Sequence, residues 1–309
     1  MSNLASPMNV FSSDAFLGAL ASTYYPGRPA EIALHTVAGH TFRLLRIGKR
    51  PVVSPPLVDF WEPVTAVDGW GRVPYPVRYL PRAALTSVEV AGHAPSPDGT
   101  ALAPFVDLGA FPTWRDLQEF VRGRRRELFK DSRRQVRRLQ RDLGSLVFTS
   151  EDPDDAVVDR CVAWRSQRFR SAARAHRDAR HAVFMRALRD AGLARVSSLR
   201  VSDTLLAGSL SFEHDRRLSY WIAAYDPSYG TYSPGRLLLE HVMEASLASG
   251  DAEFDFLIGS ESYKWLYATH ARVVGPLGSQ PPLPAAAMAV RRRLRLGRKY
   301  LRLREVLRV

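Results

Sequence analysis

A single cysteine, Cys161, occurs in 309 residues, so the chain can form no internal disulfide, and a reducing compartment is the expectation. Nowhere do 18 apolar residues follow one another without a charge, and the opening "MSNLASPMNVFSSDAFLGAL" has no basic stretch followed by a clean apolar core. Neither a membrane-spanning helix nor a secretion signal is therefore expected, and the location read from the sequence is cytoplasmic. His35, His40, His176, His181, His241 and His270 fall into no metal-ligand spacing, and one cysteine cannot complete a set, so no metal is expected. Proline is scarce in the later part of the chain: fourteen of 21 lie within residues 1–112, which marks a change of texture there.

An apolar share of 46% is enough for one large core or two of medium size. The net charge of +13 is unevenly placed. Residues 121–141 hold ten Lys/Arg against Glu127 and Asp131, and residues 290–309 hold nine against Glu305. Each segment carries +8, so the pair exceeds the total of +13 by 3 and the remaining chain is acidic. The body is thus no general polyanion binder, and contacts with nucleic acid, phosphate or membrane belong to these two segments. The second segment interleaves arginine with Leu294, Leu296, Leu301 and Leu303 behind Pro281, Pro282 and Pro284. That pattern suits a helix on an anionic membrane surface or a nucleic-acid arm, and equally a solvated helix docked on the body.

Residues 1–112 read as short strands broken by turns. "AEIALHTVAG" and "HTFRLLRIG" form a hairpin, "PPLVDFWEP" and "LTSVEVAG" are further strands, and Ser13 or Asp14 caps a helix in "SSDAFLGALASTY". From residue 113 the pattern turns helical. Thr113 and Asp116 make a capping box, and Leu117, Phe120, Val121, Leu128, Val136, Leu139 and Leu143 lay an apolar stripe under the basic surface. A break is expected near Gly123 or around Asp131 and Ser132. "SLVFTS" reads as a strand, and "DPDDAVVDRCVAWRSQRF" and "HRDARHAVFMRALRDAG" as helices. "LARVSSLRV", "LLAGSLSFEH" and "LSYWIAAY" are three antiparallel strands turned at Ser202–Asp203 and Asp215–Arg216. A helix over 234–249 then crosses to a strand over 252–258, followed by a short helix in "SESYKWLYATH" and a strand in "ARVVG". The crossover makes strand 252–258 parallel to the strand ending near Tyr225. Two parallel strands parting from a meander leave room for an extended ligand.

The stretch "SYGTYSPGRLLLEH" opens the crossover helix. Ser233 is placed to cap it, Pro234 suits the first helical position, and Gly235 would let a ligand approach the backbone. The unpaired N–H groups of that first turn suit an anion as well as a cap.

Three motifs stand together here: Lys130, Arg133, Arg134, Arg137 and Arg138; Ser233, Pro234, Gly235, Leu237 and Leu238; and Asp255, Gly259, Tyr263 and Lys264. Through them residues 113–275 resemble the BioF2-like or cellulose-biosynthesis (CelD)-like branch of the GNAT acetyltransferases, which is similar to the FemAB aminoacyl transferases. The resemblance implies an α/β fold with a GNAT-type mixed sheet in two GNAT-like lobes, the first degenerate. Residues 1–112 would form that first or strand-rich lobe, 113–275 the acyltransferase lobe, and 276–309 a Pro-rich tether with a basic C-terminal segment. The implied activity is N-acyl transfer from acetyl-CoA or another acyl-CoA to an amine on a small-molecule, sugar or cell-surface precursor. A second reading is Fem-like transfer from aminoacyl-tRNA, with residues 122–141 as the tRNA contact. A third lies outside enzymes: a non-catalytic protein that binds anions, nucleic acid or a membrane surface. The segment 290–309 is compatible with catalysis too, and would place a cytoplasmic chain at the inner membrane face. The sequence departs from the common Arg/Gln-x-x-Gly-x-Gly/Ala phosphate loop. A donor-binding role for Tyr232, Ser233, Gly235, Arg236 and Leu237 is therefore implied by position in the fold.

Acyl transfer to an amine needs a proton acceptor, donors for the oxyanion and an acid for the leaving group. Asp255 is the polar intrusion in an otherwise apolar strand, sharing a face with Leu257 and Gly259, and Lys264 or Arg236 would pair with it. It holds the site, acts on the acceptor amine, or forms an unrelated pair. By the resemblance Tyr263 is the acid that meets the leaving group, with Tyr267 as its rival; otherwise both rings pack the helix on the sheet. Lys264 would neutralise a phosphate or carboxylate, or stay in solvent. Glu213 and His214 read as a hairpin tip.

Overall fold

The computed structural model describes residues 10–37, 40–52, 57–58, 80–86, 101–168, 179–258 and 261–275. Most of "PPLVDFWEP" and "LTSVEVAG", residues 169–178, Gly259 and all of the expected tether and basic segment 276–309 lie outside the described residues.

At the amino end, the Ser13 hydroxyl accepts the Phe16 N–H at 3.2 Å and so caps α1 (Asp14–Tyr24). β1 (Ala30–Val37) and β2 (His40–Ile47) form the expected hairpin, which the short β3 (Arg50–Pro51) extends. The other eight strands make one sheet: β4 (Leu80–Thr86), β5 (Ala101–Asp107), β6 (Leu146–Thr149), β7 (Ala194–Val201), β8 (Thr204–His214), β9 (Arg217–Tyr225), β10 (Glu253–Asp255) and β11 (His270–Gly275). Their spatial order is β4-β11-β5-β10-β9-β8-β7-β6. Every pairing is antiparallel except β9 with β10, the parallel pair that the crossover requires. The strands on both sides of residue 112 share this sheet, because β5 sits between β10 and β11. The β8–β9 turn places Asp215 (φ 53°) and Arg216 (φ 57°) in the left-handed region, whose twist matches that of the flanking strands.

Helices cover both faces. On one lie α1, α4 (Asp155–Arg168) and α5 (Arg180–Asp190), around Phe11, Phe16, Phe184, Phe212 and Trp221. Phe16 meets Phe184 edge to face at 5.4 Å, while Phe212 and Trp221 lie tilted at 4.6 Å. On the other lie α2 (Trp114–Arg124), α3 (Leu128–Leu143), α6 (Pro234–Ala248) and α7 (Ser262–Tyr267), around Leu128, Leu238, Met243, Phe254 and Phe256. Strand alternation divides β9 between them: Tyr220 joins the second cluster and Trp221 the first. Each large apolar side chain so buried contributes roughly 1.5–3 kcal/mol. Close packing has a backbone signature at Gly208 of β8, where a Cβ would stand 2.7 Å from both Cys161 Sγ and Val157 Cγ1 of α4.

The basic stretch is two helices. Thr113 and Asp116 form the expected capping box on α2, and the break falls at Arg125–Glu127, just beyond Gly123. Arg124 donates to the carbonyls of Trp265 and Ala268 and ties α2 to α7.

Candidate active site

β9 and β10 are partners for three residues only, Arg217–Ser219 against Glu253–Asp255. The expected strand 252–258 is shorter than its apolar pattern suggests, and the cause is local. The Asp255 carboxylate accepts the Leu257 N–H at 2.7 Å, and Leu257 takes φ 56°, which turns the chain out of the sheet. β9 runs on to Tyr225, so beyond Ser219 its edge lacks a strand neighbour among the described residues. A cleft of about 340 Å³ opens there, between the end of β9, the start of α6 and α7.

A 3-10 turn, Pro227–Tyr232, leads into α6 and is capped by Asp226, which accepts the Ser228 N–H at 2.9 Å. Ser233 is not the side-chain cap expected of it: it lies at φ 57°, ψ 44°, and its hydroxyl makes no capping bond. Its carbonyl takes the N–H groups of Arg236 (3.0 Å) and Leu237 (3.2 Å), while its own N–H goes to Gly230 O (3.0 Å). Pro234 has no N–H. Within the first turn the Gly235 N–H is then the one that makes no backbone hydrogen bond among the described residues. Gly235 serves a different closeness from the one expected, since a Cβ there would stand 2.9 Å from Cδ1 of Tyr225. The glycine admits the Tyr225 ring, and both line the cleft.

Arg236 and Arg125 line the cleft beside these residues. Arg236 Nε is buried without a hydrogen-bond partner among the described residues, an arrangement that favours an anion nearby. Tyr232 and Leu237 are placed elsewhere. The Tyr232 hydroxyl donates to Asp142 of α3 at 3.1 Å and its ring lies under Arg138, while Leu237 is buried in the core.

On the far wall, Tyr263 is 38% exposed and turned edge-on to Phe256 at 6.3 Å. Tyr220 of β9 is buried, and its phenol is pushed well above its ordinary value by burial, with Tyr263 close by. Lys264 is buried rather than solvated: its Nζ donates to Phe256 O at 3.0 Å and Ile258 O at 3.2 Å and pairs with Glu261 at 3.1 Å. Its bonds thus go to the turn after β10 and not to Asp255, so Asp255 and Lys264 hold that turn from two sides. Tyr267 is fully buried, and its hydroxyl donates to Glu240 Oε1 at 2.9 Å.

Glu240, on α6, had no place among the expected site residues. It also accepts the Ser132 hydroxyl at 2.8 Å. Burial pushes its carboxyl up to about 7, against the pull of the two hydroxyls and of Arg236. The signal in the sequence is an acid in "RLLLEHVM", one turn beyond Arg236 and Leu237 on an otherwise apolar helix. Behind Glu240 lies a second groove of about 300 Å³ between α2, α3 and α6, lined by Arg133, Arg137 and Glu244 among others. Most basic residues of α3 have acidic neighbours, as in Lys130–Glu127 (2.9 Å) and Arg134–Asp131 (3.0 Å). Among the described residues Arg133 and Arg137 have none within 4.0 Å.

Among the described residues no three His, Cys, Asp or Glu come together as metal ligands, and no helix is long and apolar enough to cross a membrane. Cys161 is buried, and burial pushes its thiol up to about 12.

Comparison with curated proteins finds no match. Among solved structures, FemX is similar at 8% identity and TM-score 0.49, over 89% of this chain and 92% of that one. A conserved protein of unknown function from Bacteroides thetaiotaomicron VPI-5482 is similar at 10% identity and TM-score 0.45, over 88% and 93%. L-PGS from Bacillus licheniformis is similar at 12% identity and TM-score 0.38, over 62% and 65%. Residues 124–265 match the family model of the acetyltransferase (GNAT) domain, from the end of α2 into α7, and take in the cleft lining except Leu266 and Tyr267. The chain thus carries a GNAT-fold domain, which makes it an acyltransferase-like enzyme.

Proposed function

We propose that the chain is an N-acyltransferase that moves an acyl group from an activated, anionic carrier to an amine held in the cleft. The observation that carries this reading is the parting of β9 from β10, with Arg125 and Arg236 at one wall and Tyr263 and Tyr267 at the other. Guanidinium groups suit the carrier's phosphates. Tyr263, part exposed at the cleft wall, is the acid for the leaving group, and the edge of β9 beyond Ser219, without a strand neighbour among the described residues, offers backbone groups to the acyl arm.

Of two carriers, aminoacyl-tRNA fits better. A pyrophosphate cradle uses several backbone N–H groups at once. The first turn of α6 offers the Gly235 N–H alone, and anion recognition falls to side chains instead. Arg133 and Arg137, without acidic partners, extend basic surface along α3 for a polyanion. Acyl-CoA is the second reading, favoured by the acetyltransferase description of the matching domain and by the CelD-like motifs. The acceptor is an amine on a small molecule, a sugar or a cell-surface precursor.

The test is thermal unfolding of the protein with acetyl-CoA, longer acyl-CoAs, and charged and uncharged tRNA, followed by transfer of a labelled acyl group to an amine panel. Protection and transfer with charged tRNA alone support the first reading, and with a CoA ester alone the second. Failure of every donor to protect or to transfer ends the proposal.

A further inference from the structure

Tyr267 and Glu240 join two cavities that are otherwise separate. Tyr267 lines the cleft between β9, α6 and α7; Glu240 lines the groove between α2, α3 and α6. The hydrogen bond from the Tyr267 hydroxyl to Glu240 Oε1, 2.9 Å long, is the link between them. Ser132 donates to the same oxygen at 2.8 Å and anchors it. Glu240 is buried, 8% exposed as a residue, and it lines the groove but not the cleft.

A buried carboxyl group in a helix is costly and is normally matched by a cation. Glu240 makes no ion pair within 4.0 Å among the described residues, although Arg236 of its own helix is near enough to act on it. What faces it is hydroxyl groups, from α3 and from α7. Other charged or titratable groups around it are Glu244 and His241 on α6, Arg133 and Arg137 on α3, and Arg125 in the bend before α3. Such a setting suits a group that changes protonation state during turnover.

We propose that Glu240 is the proton acceptor behind Tyr267, drawing the acceptor amine's proton out of the cleft and releasing it through the groove between α2, α3 and α6. This rests on the reading of the cleft as an acyl-transfer site. In the step, the amine nitrogen attacks the acyl carbon and gives a proton to Tyr267 Oη. Tyr267 passes its own proton to Glu240 Oε1. The new N–C bond forms as the bond from the acyl carbon to the carrier's oxygen or sulfur breaks. That leaving atom keeps the electron pair and takes a proton from Tyr263, which solvent replenishes. Glu240, now neutral, returns its proton to water in the groove. Because Glu240 acts through Tyr267 it is a positioning residue that also stores a proton, and not a catalytic residue itself.

The experiment uses the full chain with whichever donor supports transfer. It measures kcat and KM from pH 5.5 to 9 for wild type, Glu240→Gln and Tyr267→Phe. Glutamine keeps an oxygen to accept both hydroxyls, so its fold is expected to survive; Tyr267→Phe breaks the same relay from the other side. Wild-type kcat should rise with pH through about 7, where Glu240 loses its proton. Both variants should lose about 10²-fold in kcat at pH 8, keep KM, and lose the limb near neutrality. Infrared difference spectra of wild type against Glu240→Gln should show one carboxylic acid band titrating over the same range. Variants with wild-type kcat, or a limb that persists in both, overturn the relay and leave the acyltransferase reading standing. Absence of transfer by wild type from every donor overturns both.

Discussion

Tyr263 and Tyr267 are four residues apart on one short helix, yet the structure gives them different freedom. Tyr263 stays part exposed and the Tyr267 hydroxyl is held by Glu240, so under the proposed reaction Tyr263 is the one left to give a proton to the leaving group. Replacing Tyr263 by Phe removes one hydroxyl and keeps the ring against Phe256. A fall in kcat of about 10²-fold with little change in melting temperature is expected, and wild-type turnover would remove Tyr263 from the chemistry. Glu240 makes a prediction about stability. Its folded-state value, about 7, lies above the ordinary 4.5, so the fold favours the neutral form. That stabilisation is full below about pH 4.5 and is lost as pH rises through about 7. At roughly 1.4 kcal/mol per unit the loss is on the order of 3 kcal/mol. Glu240→Gln, neutral throughout, should therefore melt higher than wild type at pH 8 and close to it at pH 5. Equal melting at both values would show that Glu240 carries no such strain. Asp255 was legible as an anomaly in an apolar strand. Its turn with Leu257 was not, since one residue type at one position does not say that the next two leave the sheet. Glu240 was hidden for the opposite reason: a glutamate in a helix is ordinary until its face is known to be buried.

At the scale of elements, the parallel pairing of β9 and β10 was legible because a crossover helix after an antiparallel meander permits little else. The length of β10 was not, as Phe256 and Leu257 are as apolar as a strand and stay buried although β10 ends at Asp255. Two glycines test how tightly these elements fit. Gly208→Val drives side-chain atoms into Cys161 and Val157, so α4 must move off β8, and a loss of about 1–3 kcal/mol in denaturant unfolding is expected. A smaller effect than 0.5 kcal/mol or so would mean that α4 yields freely. Gly235→Val meets one aromatic ring, Tyr225, which can swing into the cleft. Donor binding should weaken there while the global melting temperature changes much less, and an unchanged dissociation constant for every donor would place the donor elsewhere.

For the molecule as a whole, charge had to be located before it could be read. The basic run is partly structural: Arg124 spends its donors on the end of α7, and Arg134, Arg138 and Arg141 sit beside Asp131 or Asp142. Arg133 and Arg137 have no acidic neighbour within 4.0 Å among the described residues, and under the proposed tRNA reading they face the polyanion. Reversing both to Glu should weaken tRNA binding and lower the slope of log K against log salt by about two counterions, without loss of the fold. An unchanged slope would move the polyanion to another face. What no local pattern announced is the path of the amino-terminal third into the sheet. Phe105 pairs with Asp255 across about 150 residues of chain, and β10 is held on that side by β5 alone. Synthesis supplies roughly 5–20 residues each second, so on the ribosome β5 waits on the order of ten seconds or more for the strand it must meet. Through that interval both edges of β5 lack the strands that will cover them, since β10 and β11 lie later in the chain, and the eight-stranded sheet can close only after its last strand has emerged.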